Sequence, residues 1–153
     1  MHRKVKNVVW ARECDWPKCI PRTRRARGTK ARGLAYERAL AKKLGIALHG
    51  QWFSFFADGE YGYCQPDFLL IEDRAITVIE CKLTNVEQAT EQLLDLYFPV
   101  LRAAYARPVR GIIAVRSVHR APACAHIANN LRDALDVSEK RVPVLHWIGS
   151  GPL

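Results

Sequence analysis

No run in the 153-residue chain approaches the ~20 consecutive apolar residues that a membrane-spanning helix needs. The opening residues, MHRKVKNVVWARE, lack the apolar stretch of roughly 7–15 residues that a secretory signal carries. A cytoplasmic or nucleoid-associated protein, not secreted and without a membrane partner, is therefore expected. Cysteine is scarce and odd in number, at five, which argues against a closed disulfide framework and for reduced thiols. Cys14 and Cys19 are separated by four residues, with no clear second ligand pair downstream, so a zinc site is not implied. There is no G-x-x-x-x-G-K loop and no G-x-S-x-G elbow, so neither ATP use nor serine-hydrolase chemistry is implied. His49, His119, His126 and His146 are scattered and carry no assigned role.

What is present is globular: 49% apolar and 25% charged residues, in a chain of single-domain length. The net charge of +9 is uneven. Residues 1–33 hold eleven Lys/Arg against Glu13 and Asp15, whereas the remaining 120 residues balance 13 basic with 13 acidic groups. A neutral body with a basic leader fits a polyanionic partner, nucleic acid first, although such a leader also serves solubility or an anionic surface. We divide the chain into a basic N-terminal arm, 1–32, and a folded domain, 33–153. Arg22, Arg24, Arg25, Arg27, Lys30 and Arg32 are the candidate phosphate contacts. Trp10 and Trp16 stand among these cations, where they either stack on bases or anchor the arm to the core.

Apolar spacing predicts a helix over about 31–44, stopped by Gly45. Strands follow at 51–57, 66–71 and 75–83, with a turn at Asp58-Gly59 and a tight hairpin loop at 72–74. Thr84-Asn85-Val86-Glu87 reads as a capping box opening a long helix to about 105, kinked at Pro99. A buried strand at 109–115, a helix at 122–135 and a last strand at 142–148 complete an α/β domain with a mixed central β-sheet flanked by helices.

The hairpin carries the chemistry. With Asp73-Arg74 as its loop, Ile71 pairs with Ile76, Leu69 with Val78, and Asp67 faces Glu80 on one side of the sheet. Directly opposed carboxylates repel. A divalent cation such as Mg²⁺, which takes carboxylate oxygens and keeps several waters, resolves the conflict. Lys82 lies on the same face as Glu80, poised to hold a phosphate oxygen or orient an attacking water. The Cys81 side chain points to the opposite face as a small core residue, and its main-chain carbonyl remains open to a metal. Glu37 falls on the mainly apolar side of the first helix, so it meets either the metal site or an arginine.

Glu37, Pro66-Asp67 and Glu80-Cys81-Lys82, in this order and on these elements, resemble the PD-(D/E)XK nuclease superfamily. The resemblance spans 31–116 and implies a restriction-endonuclease-like αβββαβ core. It further implies Asp67 and Glu80 as metal ligands, Lys82 as the catalytic lysine, and Glu37 completing the site directly or through water. One or two Mg²⁺ ions, or Mn²⁺, would then support hydrolysis of DNA phosphodiester bonds. Gly28-Thr29-Lys30, Gly33 and Glu37-Arg38 are similar to the entry of the first helix in Holliday-junction resolvases, implying branched DNA and a possible homodimer. Gln88 and Gln92 are similar to the Gln-x-x-x-Tyr motif of recombination exonucleases, implying Gln92, or else Gln88, near DNA or the attacking water. Tyr97 follows Gln92 by five residues, where the family spacing is four. A single-strand or terminal exonuclease and a non-catalytic DNA-binding protein on the same fold are the competing expectations. Arg116, His119 and Arg120 are either further phosphate contacts or plain surface.

Overall fold

The strands divide between two sheets, a central one with apolar residues on both faces and a small one with a single apolar face. The computed structural model describes residues 3–22, 26–45 and 47–153, so Arg24 and Arg25 lie outside the described residues. In chain order the elements are β1 (Val8–Cys14), α1 (Gly28–Leu44), β2 (Leu48–His49), β3 (Trp52–Ala57), β4 (Glu60–Cys64), β5 (Phe68–Ile71) and β6 (Ile76–Lys82). There follow α2 (Val86–Gln92), a π turn (Leu93–Tyr97), α3 (Phe98–Tyr105), β7 (Val109–Val115), β8 (Ile127–Ala128), α4 (Leu131–Ser138) and β9 (Val144–His146). The central sheet has six strands in the order β2-β5-β6-β7-β9-β8, and a second sheet has three in the order β1-β3-β4. The central sheet is mixed: β5 and β6 are antiparallel, whereas β6, β7 and β9 run parallel.

Both faces of the central sheet are covered, which is why β6 is buried without a break from Ile76 to Glu80. On one face Tyr36, Leu40 and Leu44 of α1 pack with Phe68, Ile79 and Ile112, joined by Ala134 of α4. On the other, Leu69, Ile76 and Val78 pack against Leu93, Leu96 and Leu101 of the helical run. The same cluster takes in Phe53 and Phe55 of the small sheet. Among the described residues no helix is long and apolar enough to cross a membrane. All five cysteines are free.

Segment 51–57 is the strand read as part of one mixed sheet, but it belongs to the second sheet. Gly50, at φ +70°, turns the chain out of β2, so β2 pairs with β5 while β3 pairs with β1 and β4. Strand β1 occupies part of the stretch read as a basic arm. Helix α1 begins at Gly28, three residues earlier than expected, and so carries Lys30 and Arg32. The α2 cap is Asn85 rather than Thr84: its side chain accepts from the Gln88 amide at 3.0 Å.

The long helix is interrupted rather than simply kinked. Pro99 has no N–H for the carbonyl four residues back, Asp95. That carbonyl accepts instead from the Val5 amide at 2.8 Å, which ties the N-terminal segment to the helical run. The helix expected over 122–135 forms only as α4, because Asn130 starts it by accepting from the Asp133 amide at 2.8 Å. Upstream of that cap, Ile127 and Ala128 pair with Val144 and Leu145 as an edge strand.

Gly111 in β7 permits the closest approach of the helical run to the sheet. A Cβ there would lie 2.8 Å from Phe98 Cζ and 3.1 Å from Leu93 Cδ1. Gly111→Ala should therefore destabilise the protein by about 1–3 kcal/mol through overpacking, measured by urea unfolding.

Candidate active site

The β5–β6 register is the expected one: Ile71 pairs with Ile76, Leu69 with Val78 and Phe68 with Ile79. Asp67 stands one residue beyond the ladder, and its Oδ2 accepts from the Cys81 amide at 2.7 Å. Its main-chain carbonyl accepts from the Gly50 amide at 2.9 Å. The start of β5 is thus pinned to both neighbouring segments, and the Asp67 carboxylate is held at the end of β6. Cys81 packs with Phe68 and Ile79, on the side opposite Val78, as expected for a small core residue.

Glu80 is buried, with its side chain 3% exposed. Its Oε1 lies 3.1 Å from Lys82 Nζ, on a side chain 22% exposed. Among the described residues its Oε2 has no hydrogen-bond partner. Burial pushes the Glu80 carboxyl above its ordinary range and Glu37 adds to this, while Lys82 pulls it back. Asp67 is pushed well up by burial, and the charges of Glu80 and Glu37 add to it. Three carboxylates thus act on one another in a poorly solvated place, with one amine among them.

Among the described residues Glu37 meets a histidine and not an arginine. Its Oε1 is 2.7 Å from Nε2 of His49, whose ring stacks on Phe68 with centroids 4.7 Å apart. This role of His49 is not readable from the sequence, since residues 37 and 49 are joined only by the folding of β2 onto β5. A cavity of about 510 Å³ is lined by Glu37, Asp67, Cys81 and Lys82, with Lys30 and Thr29 on its α1 side. A neighbouring cavity of about 500 Å³ is lined by Arg32, Arg116, His119 and Arg120. Of the leader's candidate phosphate contacts, Lys30 and Arg32 border these hollows. Arg27 is exposed ahead of α1, and Arg22 lies over the Trp16 ring, 4.9 Å from its centroid.

The π turn changes the reading of Gln92 and Tyr97. Its amide of Phe98 bonds to the Leu93 carbonyl, five residues back, so it accommodates one residue more than an α turn. The five-residue spacing then corresponds to four in a regular helix. The buried Tyr97 hydroxyl donates to the Gln65 carbonyl at 3.3 Å. Burial, and next the charges of Glu80 and Asp67, push it above its ordinary range. Gln92 Oε1 is buried without a partner, whereas Gln88 is exposed.

Among the described residues no three His, Cys, Asp or Glu side chains form a ready-made metal cage. A hard cation does not require one, since Mg²⁺ keeps several waters and takes one or two carboxylates. Glu80 Oε2, unpartnered among the described residues, and the Asp67 and Glu37 carboxylates whose charges act in the same place are the oxygens that could serve such an ion. No family model, curated protein or solved structure matches this chain.

Proposed function

We propose that the chain is a Mg²⁺- or Mn²⁺-dependent nuclease on a restriction-endonuclease-like αβββαβ core, hydrolysing DNA phosphodiester bonds in the cytoplasm or at the nucleoid. The observation that carries this reading is the buried, unpartnered Glu80 oxygen in a group of three mutually repelling carboxylates beside an open cavity. A protein with no use for a cation has no reason to keep such a group, because an unsatisfied buried oxygen costs about 1–3 kcal/mol.

Asp67 and Glu80 present the carboxylate oxygens that would hold the metal, with Glu37 and the Cys81 carbonyl as further donors. Held there, such an ion would supply a water of lowered pKa and offset charge on the phosphate. Lys82, held by Glu80 and reaching the cavity, binds a phosphate oxygen or orients the attacking water. Lys30, Arg32, Arg116 and Arg120 around the two hollows grip the backbone without reading bases, so affinity falls steeply with salt. ATP has no part in this scheme.

Branched DNA is the proposed substrate, and two incisions across a junction call for two sites, hence a homodimer. One observation favours a second reading, an exonuclease on single-stranded or terminal DNA: the π turn that brings the Gln92–Tyr97 spacing into line. The deciding assay incubates the protein with Mg²⁺ or Mn²⁺ and labelled linear, single-stranded, flap and four-way-junction DNAs, with Glu80→Gln as control. Paired symmetric cuts in the junction support the resolvase reading, and ladders from ends the exonuclease. Binding without metal-dependent cleavage of any substrate would leave a non-catalytic DNA-binding protein.

A further inference from the structure

The small sheet turns one face to the hydrophobic core and the other to solvent, and the outer face is aromatic and basic. Pairing registers put Trp10, Phe56 and Tyr61 in one cross-strand row, and Arg12, Ser54 and Tyr63 in the next. Cys14 and Trp52 begin a third. Tyr61 is 74% exposed and Tyr63 44%. The Tyr61 ring lies 4.9 Å from Phe56 and 6.2 Å from Trp10, centroid to centroid. Arg12 stands over Trp10 at 5.1 Å, and beyond the third row Trp16 packs on Trp52 at 5.3 Å, with Arg22 over Trp16. A hollow of about 470 Å³ opens along these rows, lined by Trp10, Arg12, Ser54, Tyr61 and Tyr63, with Asp15 at its rim.

We propose that this face is a stacking platform for the unpaired bases of single-stranded DNA. Wet aromatic rings beside cations offer each base a π-face and each phosphate a counter-charge, without regard to sequence. A duplex turns its bases inward and cannot use such rings. Tyr61 and Tyr63, two strand residues apart, are separated by ~6.7 Å along β4, about twice the ~3.4 Å spacing of stacked bases. Neighbouring bases on the two rings must therefore be pulled apart, as in an extended single strand. The face has counter-charges of its own in Arg12 over Trp10 and Arg22 over Trp16. Strand β4 leads directly toward the candidate site: Asp67 follows Tyr63 by four positions, at most ~14 Å of chain. The proposal rests on the nucleic-acid part of the function proposed above and is independent of hydrolysis.

The test is anisotropy of a labelled oligothymidylate in EDTA, where no metal-dependent hydrolysis proceeds, with the parent protein, four single variants at exposed positions and the Tyr61→Ala/Tyr63→Ala double variant. Tyr61→Ala and Tyr63→Ala should each weaken binding about tenfold, and Tyr61→Phe and Tyr63→Phe should retain it. A blunt duplex should bind more weakly and show no response to these changes. The platform is overturned if the Tyr61→Ala/Tyr63→Ala protein binds like the parent, if the Phe variants lose as much as the Ala ones, or if oligouridylate binds more tightly than oligothymidylate. Tyrosine-dependent binding by a protein that cleaves nothing would uphold the platform and end the nuclease reading. Normal cleavage and unchanged binding by the double variant would do the reverse.

Discussion

Lys82→Ala should lower cleavage by about 10²-fold or more and also cost the metal-free protein about 2 kcal/mol of stability. The first effect follows from losing the cavity-lining amine that stands beside Glu80, which would hold phosphate charge or water. The second follows from Glu80. Its Oε1 faces Lys82 Nζ at 3.1 Å and its Oε2 has no partner, so removing Lys82 leaves a buried carboxylate without compensation. The cost stays below the 3–5 kcal/mol typical of a fully buried pair, because Lys82 keeps some contact with water and Glu80 can take up a proton. Adding Glu80→Gln should therefore restore most of the lost stability while leaving cleavage absent. A double-mutant cycle by urea unfolding in EDTA, with cleavage measured in parallel, reads both effects. If Lys82→Ala proves neutral in stability and the double variant gains nothing, the pair is not coupled as described.

Asp67→Asn should abolish turnover yet stabilise the metal-free protein by about 1 kcal/mol at pH 8. The folded-state carboxyls of Asp67 and Glu80 both lie above their ordinary values, Asp67 through burial and the charges of Glu80 and Glu37, and Glu80 through burial and the charge of Glu37. The folded protein therefore holds these protons to higher pH than the unfolded chain, which releases them near pH 4. Their contribution is fully present below about pH 4 and is lost as pH rises through the raised values. Metal-free parent protein should thus melt at a lower temperature at pH 8 than at pH 5, and Asp67→Asn should flatten that decline. The asparagine can still accept from the Cys81 amide, so the local fold survives. Mg²⁺ should stabilise the parent and not the variant, since the ion binds the folded state through ionised carboxylates. A strongly destabilised Asp67→Asn protein in EDTA would contradict the opposed arrangement.

The legible parts of the fold are those decided locally. The hairpin register follows from a short loop and the two-residue alternation of strands, so the facing of Leu69 with Val78 can be read directly. Strand β7 is readable because a short apolar run has few other solutions. Strands β1 and β4 are harder, since Val8–Cys14 and Glu60–Cys64 mix charged or glycine residues into their runs and gain their identity only by pairing with β3. The π turn is invisible to a periodicity argument, because its cause is partly remote: the Asp95 carbonyl freed by Pro99 is taken up by Val5. Within the candidate site, Asp67, Glu80 and Lys82 are apparent from spacing. The link between Glu37 and His49 requires knowing that β2 lies against β5.

The same long-range ties set the order in which the molecule can be completed during synthesis. Strand β1 leaves the ribosome early, but its partner β3 ends at Ala57 and the carbonyl awaiting Val5 belongs to Asp95. At roughly 5–20 residues per second, the nascent leader waits about 5–20 s before both ties can close. During that interval an unpaired edge and a dense block of cations stand open beside ribosomal RNA, so the leader is the part of the chain most exposed to capture by the wrong polyanion.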